Sequence, residues 1–477
     1  MSIGAIKMSI NTFSITTLLC LAWIPARAQV QLPEAPTAHL VSPSDSQPSQ
    51  AVPSQSPQAS TFSSSGTENG PKLTRTEAEQ MAIKNNPRIQ LSQLLALAQH
   101  QVVRESRSAL LPTAAASVTA VDAESGSRVS AGTLTASRLI EHAGAGGSFT
   151  QLITDFGRTN NLIASSKLRE KAQNANLIAT EQDIIIATDQ AFYDALQAQA
   201  LYQVARQNVD ARQATETQVA ELTKNKLKST LDLSFADVNL SQAKLLLLDS
   251  QNNLNATMAA LDAVLGLDRE VTYDLIDSIA DVQSPPPDVD QLVQQGLQQR
   301  PDLQSLAFDQ QAAVKYSRAE KDQSLPSITA AGTAGTVPIR SAQYYTENWW
   351  GGIGVNLNIP IFNGFLYSAE AREASLRARA DAEQTRDLRD RIVRDIHTTW
   401  LAANTAYQKT AVTQQLLDQA NLALKLAQAR YQIGLSSIVE LSQAQYQQTD
   451  AAIGNTNALY QYRLSLAMLN YQIGTAP

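Results

Sequence analysis

Residues 353–364 read IGVNLNIPIFNG, and the fold prediction starts from the pattern of these residues. Isoleucine, valine or leucine occupies every second position from Ile353 to Ile361, and glycine, asparagine or proline fills the positions between them. An alternation with a period of two predicts a β-strand that has one apolar face and one small or polar face. The Asn363-Gly364 pair that follows predicts a turn.

A long helix is predicted directly after this turn. Residues 366–433 contain neither proline nor glycine, and the same is true of residues 158–226. Apolar residues recur at helical spacing in both runs, for example at every seventh position from Leu177 to Ala205. About 68 residues at 1.5 Å each would make a helix roughly 100 Å long, far longer than a globular core needs. The chain then turns near 226–227 and 434–435 and returns as shorter helices that end near Leu267 and Ile473.

The runs 158–226 and 366–433 resemble each other because the chain contains an internal repeat. Five pairs of positions match in type and order. They are Thr74 with Asp288, Asn86 with Arg300, Leu111 with Leu325, Asp155 with Asn363, and Leu231 with Val439. The first three pairs are separated by 214 residues and the last two by 208, so a single deletion of six residues relates the halves. We therefore predict two homologous halves, 71–285 and 286–477, joined at the proline run 285–287.

Each half begins with a broken helix and a hairpin. Pro87 and Pro301 disfavour helix in the residue before them but suit a new helix start. Pro112 and Pro326 end the helices that start at Pro87 and Pro301. Strands are then predicted at 113–123 and 145–153 in the first half, and at 327–337 and 353–361 in the second. The lengths suggest that each returning helix stacks end to end on the piece that starts at the proline, alongside one long helix.

Composition excludes several classes of function. The 477 residues carry a net charge of −7, which argues against a nucleic-acid binder. The single cysteine, Cys20, and four scattered histidines offer neither a disulfide framework nor a zinc cluster. No H-E-x-x-H or G-x-S-x-G motif occurs, and Asp155-Phe156-Gly157 lacks the catalytic and glycine-rich loops of a kinase. We predict neither an enzyme nor a cofactor.

The first 70 residues are predicted to lie outside the fold. Lys7, an apolar run at 15–24 and Ala26-Arg27-Ala28 match a secretory signal peptide, 1–28. The alternative is a membrane-spanning helix, but that needs roughly 20 apolar residues. Residues 29–70 are rich in proline, serine and glutamine and predict a disordered leader. No later stretch has 18 consecutive apolar residues, so any membrane insertion is expected to use strands.

The two hairpins need partners if they enter a membrane. Four strands cannot close a barrel, and an open sheet in lipid leaves backbone groups unsatisfied. Transmembrane barrels begin at eight strands, so two copies would give eight and three copies twelve. Four aromatic residues near the apolar strand predict an interfacial girdle, with a packed loop as the alternative: Tyr344, Tyr345, Trp349 and Trp350. A secreted coiled-coil structural or adhesive stalk remains the alternative function, although a stalk needs no duplicated hairpin.

Across 71–477 the pattern resembles the TolC-like outer-membrane efflux protein family. The residues that carry the likeness are Asn86-Pro87, Arg300-Pro301-Asp302-Leu303, the Leu-Pro pairs at 111–112 and 325–326, the turn 359–364, and Arg430-Tyr431-Gln432-Ile433-Gly434. The resemblance implies a mainly α fold with a membrane β-barrel, in which a homotrimer forms a twelve-stranded barrel and a periplasmic α-helical tunnel. It also implies the outer membrane of a diderm bacterium as the location, in contact with lipid.

The function implied by the resemblance is passive transport. The duct would serve a tripartite efflux or type I secretion system, and a periplasmic adaptor (membrane fusion) protein and an inner-membrane pump would supply its substrates. The resemblance assigns adaptor docking to the two helical tips, at Lys226, Leu227, Gly434, Leu435 and Ser436. It assigns the periplasmic gate to Asp232, Tyr431 and Glu440, with Ser436 in place of the family's arginine and Gln443 in place of an acid. Rings of Asp232 and Glu440 would make an anionic constriction that favours cations; helix capping is the alternative role.

Overall fold

The computed structural model describes residues 71–122, 142–267, 273–276, 284–339 and 349–475. The predicted signal peptide and leader, together with Tyr344 and Tyr345, lie outside these residues. The first half contains β1 (Lys72–Leu73), α1 (Arg75–Asn85), α2 (Pro87–Ser108), β2 (Thr113–Val121), β3 (His142–Thr154), α3 (Arg158–Lys224) and α4 (Thr230–Leu265). The first half ends with the short strand β4 (Asp274–Leu275), and the second half contains α5 (Val289–Gln299), α6 (Pro301–Asp322), β5 (Ser327–Ile339), β6 (Trp349–Asn358), α7 (Leu366–Gln432) and α8 (Ile438–Gln472). The prediction of two tandem repeats, each with a hairpin and long helices, is confirmed.

The helix starts follow from capping residues. Thr74 forms a capping box with Glu77 at the start of α1, and the Asn86 side chain accepts a hydrogen bond from the Arg88 amide at the start of α2. Pro87 and Pro301 occupy the first turns of α2 and α6, where the missing N–H costs nothing. The broken helix predicted in each half is therefore confirmed, with a new helix starting at the proline.

The long helices have the predicted length and the predicted partners. Helices α3 and α7 each contain 67 residues, and α4 and α8 return along them. The end of α4 meets the start of α2: the Asn86 side chain donates to the Val264 carbonyl at 3.4 Å, and Gly266 lies against the Asn85 carbonyl. In the same way, Gly474 lies against the Arg300 amide where α8 ends and α6 begins. The predicted end-to-end stacking is confirmed.

Helix α3 holds the two halves together. It packs against α2 and α4 of its own half and against α6 and α8 of the other. A core cluster lies where α3 meets α1, α2, α4, α8 and the short parallel β1–β4 pair, and it includes Phe192, Leu196 and Leu261. Within the described residues, no helix is both long enough and apolar enough to cross a membrane.

The four long strands form one antiparallel sheet in the order β2-β3-β5-β6. Each half contributes one hairpin, and the hairpins join through β3 and β5. Strand β6 ends at Asn358 rather than at Ile361, because Pro360 has no N–H for a ladder and the chain must turn towards α7. Because the strand order is β2-β3-β5-β6, the two edge strands of the sheet are β2 and β6.

The sheet separates its side chains into the two predicted faces. Ile353, Val355 and Leu357 lie on one face, in register with Gly332, Ala330 and Ile328 of β5. The other face carries small and polar residues such as Asn356 and its cross-strand neighbour Thr329. Ile353 is 84% exposed in the single chain, so no other described residue covers this part of the apolar face.

A charged cluster is buried beside the main core. Arg75 of α1 contacts Asp189 of α3 at 3.1 Å and Glu79 at 3.2 Å, while Tyr193 and Arg463 complete the surrounding charges. Glu79 and Asp189 are only 5% and 3% exposed. Burial and the hydrogen bond with Asp189 raise the pKa of Glu79 to about 7, against the opposing effect of Arg75. One arginine therefore faces two buried carboxyl groups.

Stability is predicted to fall with rising pH through this pair. A carboxyl whose pKa is higher in the folded state than in the unfolded chain stabilises most below the unfolded value, and that contribution is lost as the pH rises through about 7. Glu79→Gln should remove this pH dependence, on the order of 1–2 kcal/mol between pH 5 and pH 8. Guanidinium unfolding of the detergent-extracted protein at both pH values measures the difference.

Glu77→Gln is the matched control. Glu77 lies two residues away, and its bonds to Thr74 lower its pKa, so its contribution is lost as the pH falls rather than as it rises. A Glu79→Gln protein with the same unfolding difference between pH 5 and pH 8 as the wild type would contradict the raised pKa of Glu79.

Candidate functional site

The two helical tips, residues 222–232 and 430–440, have the same backbone despite different sequences. Lys226 has φ +59° and Gly434 has φ +78°, so both adopt the left-handed conformation. Leu227 donates its amide to the Leu222 carbonyl at 2.8 Å, and Leu435 donates to the Arg430 carbonyl at the same distance. This is the Schellman ending of a helix. A lysine in this conformation costs roughly 1–2 kcal/mol that a glycine avoids.

A serine and an acid begin the returning helix at each tip. The Ser229 hydroxyl accepts from the Asp232 amide at 3.1 Å, and the Asp232 carboxylate accepts from the Ser229 amide at 3.2 Å. Ser437 accepts from the Glu440 amide at 3.3 Å. Asp232 and Glu440 therefore occupy equivalent positions in the first helical turn, where the helix dipole stabilises a negative charge. The capping role considered from the sequence is therefore present at Asp232, whereas Glu440 lies in the first turn without bonding the Ser437 amide.

Tyr431 joins the two tips. Its side chain is 3% exposed and packs in a core cluster drawn from all four long helices, with Val219, Ala236 and Leu441. Its buried hydroxyl has no hydrogen-bond partner among the described residues. Burial and the nearby Asp232 charge raise the pKa of the Tyr431 hydroxyl. The predicted gate residues Asp232 and Tyr431 are thus brought together across the halves.

Each tip also carries a cation that the sequence analysis did not single out. Lys228 Nζ lies 4.4 Å from the centre of the Tyr431 ring, within the range of a cation–π contact. Arg430 Nε lies 3.1 Å from Glu440 Oε1, and Arg430 also donates to the Leu435 carbonyl at 3.4 Å. The sequence could have pointed to Arg430, because this residue belongs to the motif Arg430-Tyr431-Gln432-Ile433-Gly434 on which the family resemblance rests.

The outer surface of both tips is apolar. Leu227 and Leu435 follow the left-handed residue of each turn and are 70% and 68% exposed. Ile433, Leu231 and Val439 extend this exposed surface. Ser436 is partly buried, and its hydroxyl has no partner among the described residues. The five residues predicted for docking therefore form two similar turns with a leucine at each apex.

Aromatic residues lie at both ends of the sheet. Trp349 shares the apolar face with Ile353, whereas Trp350 lies on the opposite face beside Gly335. At the other end, Phe362 and Phe365 stack edge to face at 5.4 Å and are exposed. The sequence analysis did not single out this second pair for a girdle.

The strand-to-helix turns also keep one backbone with exchanged residues. In the first half Phe156 and Gly157 are both left-handed, and in the second half Gly364 and Phe365 are. The glycine and the phenylalanine have traded places without changing the turn. In the described part of the chain, no three histidine, cysteine or carboxylate side chains converge as metal ligands.

Comparison with known proteins agrees with this architecture. Residues 292–475 match the family model described as outer membrane efflux protein. The chain is 23% identical over 413 residues to the outer membrane protein TolC of Vibrio cholerae, covering 84% of this chain and 90% of that protein. It is 21% identical to the outer membrane efflux protein BepC of Brucella suis, over 62% of this chain and 64% of that protein. The chain is thus similar to TolC-like outer-membrane efflux proteins in both sequence and family model.

Solved structures of TolC-like channels share the fold. The outer-membrane channel OprN superposes with a TM-score of 0.73 at 16% identity, covering 84% of this chain and 91% of that one. The Campylobacter jejuni CmeC outer membrane channel gives 0.72 at 17% identity, with 84% and 86% covered. At these identities the likeness establishes the helical tunnel and barrel fold of TolC-like channels.

Proposed function

We propose that this chain is one protomer of a homotrimeric exit duct in the outer membrane, which passively conducts substrates from a tripartite efflux or type I secretion system. The observation that carries the proposal is the four-stranded sheet with an apolar face and two edges, built onto helices of 67 residues. An enzyme would need converging reactive groups, and a stalk would need no such sheet.

Closure of the barrel follows from the sheet edges. In the described residues β2 and β6 each pair with one strand only. Unpaired backbone groups in the hydrocarbon of a bilayer cost several kcal/mol each, so a lone sheet is unstable there. Strands β2 and β6 run antiparallel to each other, so β6 of one copy can pair with β2 of the next. Three copies supply the twelve strands that the family resemblance implies.

The long helices give the duct its reach. At 1.5 Å per residue, α3 and α7 each extend about 100 Å away from the sheet. The ends farthest from the sheet are the two tips. This geometry supports a tunnel that starts at the barrel and ends deep in the periplasm, where the tips meet the adaptor and the inner-membrane pump delivers its cargo.

The tips would serve two roles. We assign the gate to Asp232, Tyr431 and Glu440, which lie in the first turns of the returning helices and in the cluster that joins them. Adaptor docking is assigned to the two equivalent turns, at Lys226, Leu227, Gly434, Leu435 and Ser436. The exposed leucine at each apex suits helix packing against a partner.

The duct is tested by extraction and channel recording. The mature protein should stay with the outer-membrane fraction until detergent is added, and its native mass in detergent should be three times the chain mass. Planar bilayers should then show unitary channels. Release of the protein without detergent would contradict the duct and favour the secreted coiled-coil stalk.

Docking is tested at the leucine apices. Leu227→Ser with Leu435→Ser should abolish cross-linking to the adaptor in cell envelopes while leaving trimer mass and bilayer channels unchanged, because both side chains are exposed. The matched control is Leu245→Ser with Leu416→Ser, two exposed leucines elsewhere on α4 and α7. Equal adaptor cross-linking in both double variants would refute the docking assignment.

A further inference from the structure

The two tips place their cations at positions that are not equivalent in the repeat. At the position of Arg430 the first half has Leu222, and at the position of Lys228 the second half has Ser436. Each tip nevertheless has one cation close to the acid or the tyrosine of the gate. The two halves have therefore reached the same local charge by different substitutions.

We propose that Arg430 and Lys228 neutralise the acids of the periplasmic entrance, so that this duct admits cations and anions nearly equally. The inference rests on the proposed function, because it concerns the constriction of that duct. It revises the expectation of an anionic, cation-favouring ring at Asp232 and Glu440.

The contacts of Glu440 support its neutralisation by Arg430. Arg430 Nε lies 3.1 Å from the Glu440 carboxylate, and the same guanidinium holds the Leu435 carbonyl at the apex of the turn. Both side chains are about half exposed, so the pair adds little to stability. The pair instead affects the electrostatic potential that a passing ion experiences. Because the guanidinium lies at hydrogen-bond distance, it cancels the negative charge of the Glu440 carboxylate for an approaching ion.

The position of Lys228 supports its role in offsetting the charge of Asp232. Lys228 Nζ lies 4.4 Å from the centre of the Tyr431 ring, and Asp232 lies four residues further along the same tip, in the first turn of α4. The wider charge count agrees. Residues 221–237 hold three cations and three acids, and the equivalent residues 429–445 hold one cation and one acid. Gln443 adds no charge where the family has an acid.

Ion selectivity of single channels tests the proposal. In planar bilayers under a KCl gradient, the wild type should have similar potassium and chloride permeabilities. Arg430→Gln should raise the potassium-to-chloride permeability ratio at least about twofold, because three uncompensated carboxylates then face the pore within a Debye length of the passing ion. Glu440→Gln should lower the ratio, and the double variant should return to the wild-type value. Lys228→Gln should shift the ratio in the same direction as Arg430→Gln.

The matched control removes an identical charge from the same helix. Arg377 pairs with Glu373 at 2.6 Å on the exposed surface of α7, roughly 80 Å from the tip at 1.5 Å per residue. Arg377→Gln should leave the permeability ratio unchanged. Arg430→Lys keeps the charge and should also keep the wild-type ratio, which separates the loss of charge from any distortion of the turn.

Two results would overturn the charge compensation and leave the duct intact. One is a wild-type channel with strong cation preference, and the other is an Arg430→Gln channel with the same permeability ratio as Arg377→Gln. Absence of channels from the correctly extracted wild-type trimer would instead overturn the proposed function, and the inference with it.

Discussion

The requirement that every backbone N–H and C=O be paired in a bilayer is the constraint on which the rest of this structure depends. One chain provides four strands, whose outer members β2 and β6 have an unpaired side in the described residues. The protomer can therefore occupy a membrane only as part of a closed assembly. Association with further copies of the chain, the pore that such a ring encloses and the alignment of the helices below the sheet all follow from satisfying those two edges.

The repeat explains how one chain can supply equivalent parts to such an assembly. Corresponding helices have nearly equal lengths, with 67 residues in both α3 and α7, and 36 and 35 in α4 and α8. The backbone turns are kept even where residues have exchanged, as at Phe156-Gly157 and Gly364-Phe365. Lys226 holds the left-handed position that Gly434 holds in the second half, so the two tips have similar shapes.

Much of the fold was predictable because it depends on periodicity and on local capping. Alternation at 353–361 identified the strand, and the runs without proline or glycine identified the long helices. The strand nevertheless ends before Ile359, and Trp350 lies on the face opposite Trp349. Both facts follow from strand register and from Pro360, which fix side-chain direction more finely than an apolar pattern does.

The charge state of the entrance was harder to predict. Arg430 and Glu440 lie on different helices and meet only because the turn at Gly434 reverses the chain. Lys228 reaches Tyr431 across the two halves of the repeat, a contact that no local pattern encodes. Sequence resemblance located the acids and the tyrosine, but only the three-dimensional arrangement identified the cations beside them.

Pairing of β6 of one protomer with β2 of the next can be tested by disulfide trapping of these edges. Cys20 lies in the predicted signal peptide, so the predicted mature chain has no other thiol. A cysteine at Asn356 in β6 would be combined in turn with one at Ala115, Ser117 or Thr119 in β2. Oxidation in the outer membrane should yield dimers and a covalently closed trimer for at least one pair. A covalent ring of two chains, or no intermolecular disulfide at any position, would contradict the account.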